Sequence, residues 1–238
     1  MSAGQIRTHD PILDSIATTP LVSADAVSRT FTRGGIAVAA VRPTTCTVTP
    51  GMRVALTGPS GSGKSTLLHL FAGLDTPTAG SLSWPGLDGP PQGRPGVVGT
   101  VFQGPSLVPA LDVVENIALP LLLAGVGEVD SAERADAAIR RLEIGELARR
   151  LPEEISGGQA QRVAIARVLA SRPRLILADE PTGQLDHLTG ERVMTVLLET
   201  ADELGAALVV STHDEQVARR LPHHWRMDDG RLLVEETS

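Results

Sequence analysis

Lysine is almost missing from this chain: of its 21 basic residues, Lys64 alone is a lysine and the rest are arginines. Tyrosine is absent, phenylalanine occurs three times, and asparagine occurs once, at Asn116. We read this depletion as codon bias in a GC-rich genome, which makes the exceptions informative. An ammonium kept at one position, where every other cation is a guanidinium, implies a need for a compact point charge on a flexible stem. Cysteine also occurs once, at Cys46, which excludes an internal disulfide and a cysteine zinc cluster and is consistent with a cytosolic location. Long hydrophobic runs are missing too. Ile117 to Gly127 is the longest nearly apolar stretch, contains Pro120, and is about half of what a bilayer crossing needs; the chain is expected to be soluble. Basic charge is not in excess either, and the net charge of −7 leads us to expect no nucleic-acid partner. Residues 1–20 carry Gln5, Arg7, His9, Asp10 and Asp14 with no apolar stretch between them, so they are not a secretory signal and are expected to form a disordered tail.

What is present suits a globular chain: 238 residues, 42% apolar and 21% charged, enough for a full α/β core. Arg53 to Thr57 (RVALT) reads as a short buried strand. Lys64 to Leu74 reads as a helix, because Leu67, Leu70, Phe71 and Leu74 recur at helical spacing. Val97 to Phe102, Leu175 to Ala178 and Ala206 to Val210 are further apolar runs of strand length. Helical patterns alternate with them, over Ser156 to Ser171 and over Gly190 to Leu204, which closes at Gly205. This is the alternation of a doubly wound α/β fold. Two regions break it. Leu21 to Thr49 is expected to form antiparallel strands, and Pro105 to Glu154 an inserted helical subdomain, in which Asp130 and Glu133 are placed as a capping pair ahead of Ala135, Ala138, Ile139 and Leu142. Near the end, Asp228, Asp229 and Gly230 are expected to turn a hairpin, and Gly86 to Gly96 to form a surface loop.

The glycine-rich turn Gly58-Pro59-Ser60-Gly61-Ser62-Gly63-Lys64-Ser65-Thr66 lies between the first strand and the first helix, the context that a phosphate-binding loop requires. Its glycines let successive N–H groups turn inward on an anion, Lys64 reaches the β and γ phosphates, and the Ser65 hydroxyl ligates magnesium. Each of the four predicted core strands ends in a polar group: Gly58, Gln103, Asp179 with Glu180, and His213. Ligands of open α/β sheets bind at that edge. Asp179 is suited to hold magnesium and Glu180 to polarise an attacking water. Ser156-Gly157-Gly158-Gln159 opens a helix and forms a second anion site.

With these motifs in this order, the stretch from about Leu21 to Val234 resembles the ATPase subunit of an ATP-binding cassette (ABC) transporter. The resemblance implies a P-loop (RecA-like) parallel-sheet core with an antiparallel β subdomain and a helical subdomain inserted over about 105–158, all within an ATPase domain spanning 21–238. It implies ATP and Mg2+ as cofactors, with Ser65, Gln103 and Asp179 around the metal. Gln103 matches the Q-loop glutamine, Glu180 the general base and His213 the switch histidine. Ser156 to Gln159 match the signature motif that contacts ATP held by the other subunit of a dimer. Gly183-Gln184-Leu185-Asp186 match the D-loop that crosses the interface, and Phe31 lies where an aromatic ring stacks on adenine.

Within the family, Leu74 to Gly80 and Asp112 to Gly125 are most similar to the macrolide-export and lipoprotein-release group, whose ATPases work with few-helix permeases. Two departures stand out: a proline-rich loop replaces a helix between Gly80 and Gln103, and Gln184 stands where that group usually has asparagine. The implied partners are integral-membrane permease subunits and a second ATPase subunit, and the implied location is the cytoplasmic face of the membrane. The apolar segment Gly104 to Gly125 is expected to form the docking groove for the permease. A small-molecule kinase would not explain Ser156 to Gln159. An ABC ATPase with a non-transport mechanical role, such as cell-division signalling through a permease-like partner, is the alternative reading.

Overall fold

The short apolar runs become the centre of one sheet. In the computed structural model, which describes residues 19–234, the order is β1 (Val22–Arg33), β2 (Ile36–Val48), β3 (Arg53–Thr57), α1 (Lys64–Phe71), β4 (Ala79–Ser83), β5 (Val98–Val101), α2 (Val113–Leu123), α3 (Glu128–Arg141), α4 (Gly157–Ala170), β6 (Leu175–Asp179), α5 (His187–Leu204), β7 (Ala207–Ser211), α6 (Glu215–Ala218), β8 (His223–Asp228) and β9 (Arg231–Val234). The expected N-terminal tail lies outside the described residues apart from Thr19 and Pro20. β5, β6, β7, β3 and β8 pair side by side in parallel, and β9 adds antiparallel to β8 through the Asp229-Gly230 turn. A second sheet, β2-β1-β4, is antiparallel, as expected for Leu21 to Thr49.

Side-chain alternation divides the core between the two faces of the large sheet. Leu175 and Leu177 of β6, Ala207 and Val209 of β7, and Val54 and Leu56 of β3 meet α1 and the antiparallel sheet. Ile176, Ala178, Leu208, Val210 and Ala55 meet the helices on the other side. Every residue of β6 and β7 is buried, and a large aliphatic side chain fully removed from water contributes about 1.5–3 kcal/mol. Phe71 packs edge-on against Trp225, with ring centroids 6.4 Å apart. Cys46 of β2 is buried, and desolvation pushes its thiol up to about 12.

Several boundaries differ from the sequence reading. α1 stops at Phe71 and not at Leu74: Leu74 N donates to His69 O and Gly73 N to Leu70 O, a turn that closes the helix and leaves Leu74 exposed. Asp130 and Glu133 are not a capping pair. α3 begins earlier, at Glu128, so both lie inside it, although Ala135, Ala138, Ile139 and Leu142 are buried as expected. α5 begins at His187, three residues before Gly190, because the Asp186 carboxylate accepts from Thr189 N at 3.1 Å. The Gly86 to Gly96 loop is pinned: Gln92 Nε2 donates to Gly73 O at 2.6 Å and Arg94 to Leu87 O at 2.6 Å.

The capping box that the sequence reading put on α3 belongs to α2, where Asp112 and Glu115 exchange bonds of 2.8 and 2.9 Å. Much of the apolar segment expected to dock a partner fills the interior instead. Val113, Ile117 and Leu121 are buried, while Leu122 and Leu123 are exposed. Asn116, fully buried, organises the loop before α2: its Oδ1 accepts from Val108 N at 2.8 Å and its Nδ2 donates to Val108 O, Leu111 O and Asp112 O. Asn116→Ala removes one side chain and deprives Val108 N and Leu111 O of the partner it gives them. It should lower the unfolding free energy by about 2–3 kcal/mol, as measured by urea titration.

Candidate active site

The carboxyl edge of the parallel sheet opens into a cleft of about 510 Å³. Its walls are the loop after β3, with Gly58, Pro59, Ser60, Gly61, Gly63, Lys64, Ser65 and Thr66; Gln103 after β5; Asp179 and Glu180 at the end of β6; and His213 after β7. The structure therefore gathers the groups that the sequence placed at four separate strand ends. Ser62 is the exception within the loop. It is buried, and its backbone carbonyl accepts from Gly230 N at 3.0 Å, which ties the loop to the β8–β9 turn. Ala40, Gly183 and Gln184 complete the cleft; no motif pointed to Ala40.

Gly63 caps α1 with φ 107°, a conformation that side-chain-bearing residues rarely adopt, and a Cβ there would run into the Ala40 carbonyl. The loop thus presents the helix N-terminus to the cleft. The Lys64 ammonium donates to Gly58 O at 2.8 Å and Pro59 O at 3.0 Å. Two of its three N–H groups are used within the loop, and the stem is buried.

On the opposite wall the Ser211 hydroxyl donates to Asp179 Oδ1. Glu180 N donates to Ser211 O and Oγ, each at 3.1 Å. Glu180 has φ 49°, an uncommon conformation for a residue with a side chain. Its carboxylate Oε2 lies 2.8 Å from His213 Nδ1. An ammonium and a helix N-terminus facing a carboxylate paired with an imidazole can hold a polyphosphate and take a proton from water beside it. Ser65, Gln103 and Asp179 supply hydroxyl, amide and carboxylate oxygens. That hard donor set with a single carboxylate fits magnesium, which completes its shell with phosphate and water.

Ser156 to Gln159 lie outside the cleft. Ser156 caps α4, its Oγ accepting from Gln159 N while its own N–H donates to Gln159 Oε1, and Ser156 and Gly157 are exposed. Phe31 is on the surface and not in the core. It pairs with Val38, two residues before Ala40, and Arg29 sits 4.5 Å from its ring centroid while bonding Asp75 at 2.8 Å. Next to the cleft, the Thr189 hydroxyl and N–H hold the Asp186 carboxyl below its usual range. His187 Nε2 bonds Gln216 Oε1 at 2.9 Å, joining the start of α5 to α6, just beyond His213. That bond, with Glu191, Asp214 and Asp186 nearby, raises the histidine above its ordinary value.

A family model described as ABC transporter matches residues 41–183. The lipoprotein-releasing system ATP-binding protein LolD of Shewanella denitrificans is 39% identical over 228 residues, covering 93% of this chain and 98% of the relative. The macrolide export ATP-binding/permease protein MacB of Wolinella succinogenes is 40% identical over 220 residues, 90% of this chain but 34% of that longer protein. Among solved structures, a dimeric ATP-binding cassette in a post-hydrolysis state bound to ADP and Pi aligns with a TM-score of 0.84 at 35% identity, covering 90% of this chain and 97% of the other.

The His187 tie is strongest when the ring is protonated, so its contribution is complete below the ordinary pKa of about 6.5 and fades as pH rises through the raised folded value. Gln216→Leu removes the largest cause of the shift. The NMR titration midpoint of His187 should then move down toward the ordinary value, and an unmoved midpoint would show that the carboxylates alone set it.

Proposed function

Because the chain belongs to the ABC transporter family, whose ATPase subunits hydrolyse ATP to power transport, we propose that it drives export or lipoprotein-type extraction through separate membrane permease subunits. It does so as a peripheral subunit on the cytoplasmic face. The observation that carries this reading is the convergence of Lys64, Asp179, Glu180 and His213 on one cleft. The ATPase domain spans 21–238 with the helical subdomain inserted over about 105–158, and no helix among the described residues is long and apolar enough to cross a membrane.

In this reading the N–H groups of Gly61 to Ser65 and the Lys64 ammonium grip the β and γ phosphates, and Phe31 stacks on the adenine. Ser65, Gln103 and Asp179 would hold magnesium, which neutralises phosphate charge when bound. Glu180 accepts a proton from the water that attacks the γ phosphorus, the bond to the β,γ-bridging oxygen breaks, and ADP and phosphate leave. His213, bonded to the same carboxylate, orients it. Ser156 to Gln159, outside their own chain's cleft and with Ser156 and Gly157 exposed, face the γ phosphate held by a second subunit, with residues 183–186 crossing between the two. The head-to-tail arrangement lets each chain complete the other's site.

Glu180→Gln should retain MgATP binding and lose about 10² to 10⁴ in turnover. It should also dimerise on ATP in light scattering, while Lys64→Ala should lose nucleotide binding. Wild-type turnover in Glu180→Gln would remove Glu180 from its role.

The exposed end of α2, continuous with the loop that begins at Gln103, supports docking of a permease helix there. Leu123→Asp, at a residue that is 67% exposed, should fold and bind ATP normally yet fail to co-purify with the permease. Full assembly of that variant would place the docking surface elsewhere.

A further inference from the structure

The segment around Gln103 is gripped by one helix on both sides. Gln161 of α4 donates through Nε2 to Phe102 O at 3.2 Å, and Arg167 of the same helix donates to Ser106 O at 2.7 Å. On the cleft side, Gln184 Nε2 donates to Gln103 O at 3.3 Å. Its Oε1 lies 3.1 Å from where a Cβ on Gly157 would stand, an approach that the missing side chain permits. The Phe102 ring in turn rests on His69 of α1, with centroids 5.8 Å apart. Phe102 and Gln103 are therefore the joint between α1, which begins with Lys64, and α4, which begins after Ser156.

Gln161 differs from the other ties in one respect. It is 0% exposed, and its Oε1 has no hydrogen-bond partner among the described residues. A buried amide oxygen without a donor costs about 1–3 kcal/mol, so a residue serving the core alone would be better replaced by an apolar side chain of the same size. A half-satisfied amide at a joint is suited to two arrangements, in which the oxygen acquires a donor when the neighbouring backbone shifts.

Resting on the ATPase reading above, we propose that Gln161 is a positioning residue: through the Phe102 carbonyl it carries a displacement of Gln103 to α4, and so to the Ser156–Gln159 turn at the head of that helix. Movement of Gln103 against the γ phosphate then re-aims the turn that meets the second subunit. Gln161 touches no nucleotide in this scheme, and full burial keeps it from the subunit interface, so its effect must pass through its own chain.

The test uses the full chain carrying Glu180→Gln, with and without Gln161→Met, which conserves volume and removes both polar atoms. Three quantities are compared: the thermal midpoint, the affinity of a fluorescent ATP analogue with magnesium, and the ATP concentration at half-dimerisation in light scattering. The proposal expects the second within about twofold and the third raised about fivefold or more, the range of ordinary coupling between sites, with at most a small fall in the first, since Phe102 O loses its donor. A purely structural residue would lower the midpoint and leave the ATP dependence unmoved, so the third quantity decides. Gln161→Asn keeps the amide but withdraws it from Phe102 by one methylene, and should shift the ATP dependence in the same direction. If both variants leave the dimerisation curve in place, or neither folds, the proposal is overturned. If Glu180→Gln alone stays monomeric at saturating ATP, the ATPase-dimer reading beneath it fails instead.

Discussion

The register between β6 and β7 sets Asp179 opposite Ser211, and the rest of the site follows from that pairing. The Ser211 hydroxyl turns the Asp179 carboxylate, and its carbonyl and hydroxyl together hold Glu180 N. Thr212 N then bonds Leu56 O at 3.1 Å, which fixes the start of the His213 loop against β3, the strand that feeds the glycine turn. A slip of one residue between β6 and β7 would exchange the two faces of a strand buried throughout. The dry interior therefore enforces the alignment of the polar edge. Carboxylates, imidazole and ammonium meet there because strands buried on both faces have no other place for them.

This is also why so much was legible from the sequence. Runs such as LILA and RVALT read as buried strands, and the group after each, Asp179 or the glycine loop from Gly58, stands at the sheet's edge. The Asp229-Gly230 hairpin and the buried stripe of α3 followed equally from local chemistry. The misreadings lie at helix starts and ends. Asp130 and Glu133 satisfy a capping pattern, but the helix already begins at Glu128, so both lie inside it. Leu74 fits the apolar spacing of α1, yet the glycine before it ends the helix first.

Asn116 and Gln161 escaped the sequence reading for a different reason. Asn116 acts on backbone groups four to eight residues before it and Gln161 on a carbonyl 59 residues away, and nothing in either residue type announces which group it will meet. A signal did exist for Asn116: it is the one asparagine in a composition that has shed the others, the same reasoning that singled out Lys64. For Gln161 no comparable signal is present, because glutamine is common on helix surfaces and only its burial against Phe102 sets it apart.

Cys46 offers a practical consequence. Nucleophilic labelling of a sulfur requires the thiolate, and burial on β2 holds this thiol so far above neutrality that little thiolate forms. A maleimide probe attached to a cysteine introduced at the surface would therefore find one reactive sulfur without removal of the native residue. Amine reagents meet a similar economy, since the single lysine side chain lies 8% exposed in the glycine loop. Under the proposed function its acylation would report occupancy of that loop, uncrowded by signals from other side-chain amines.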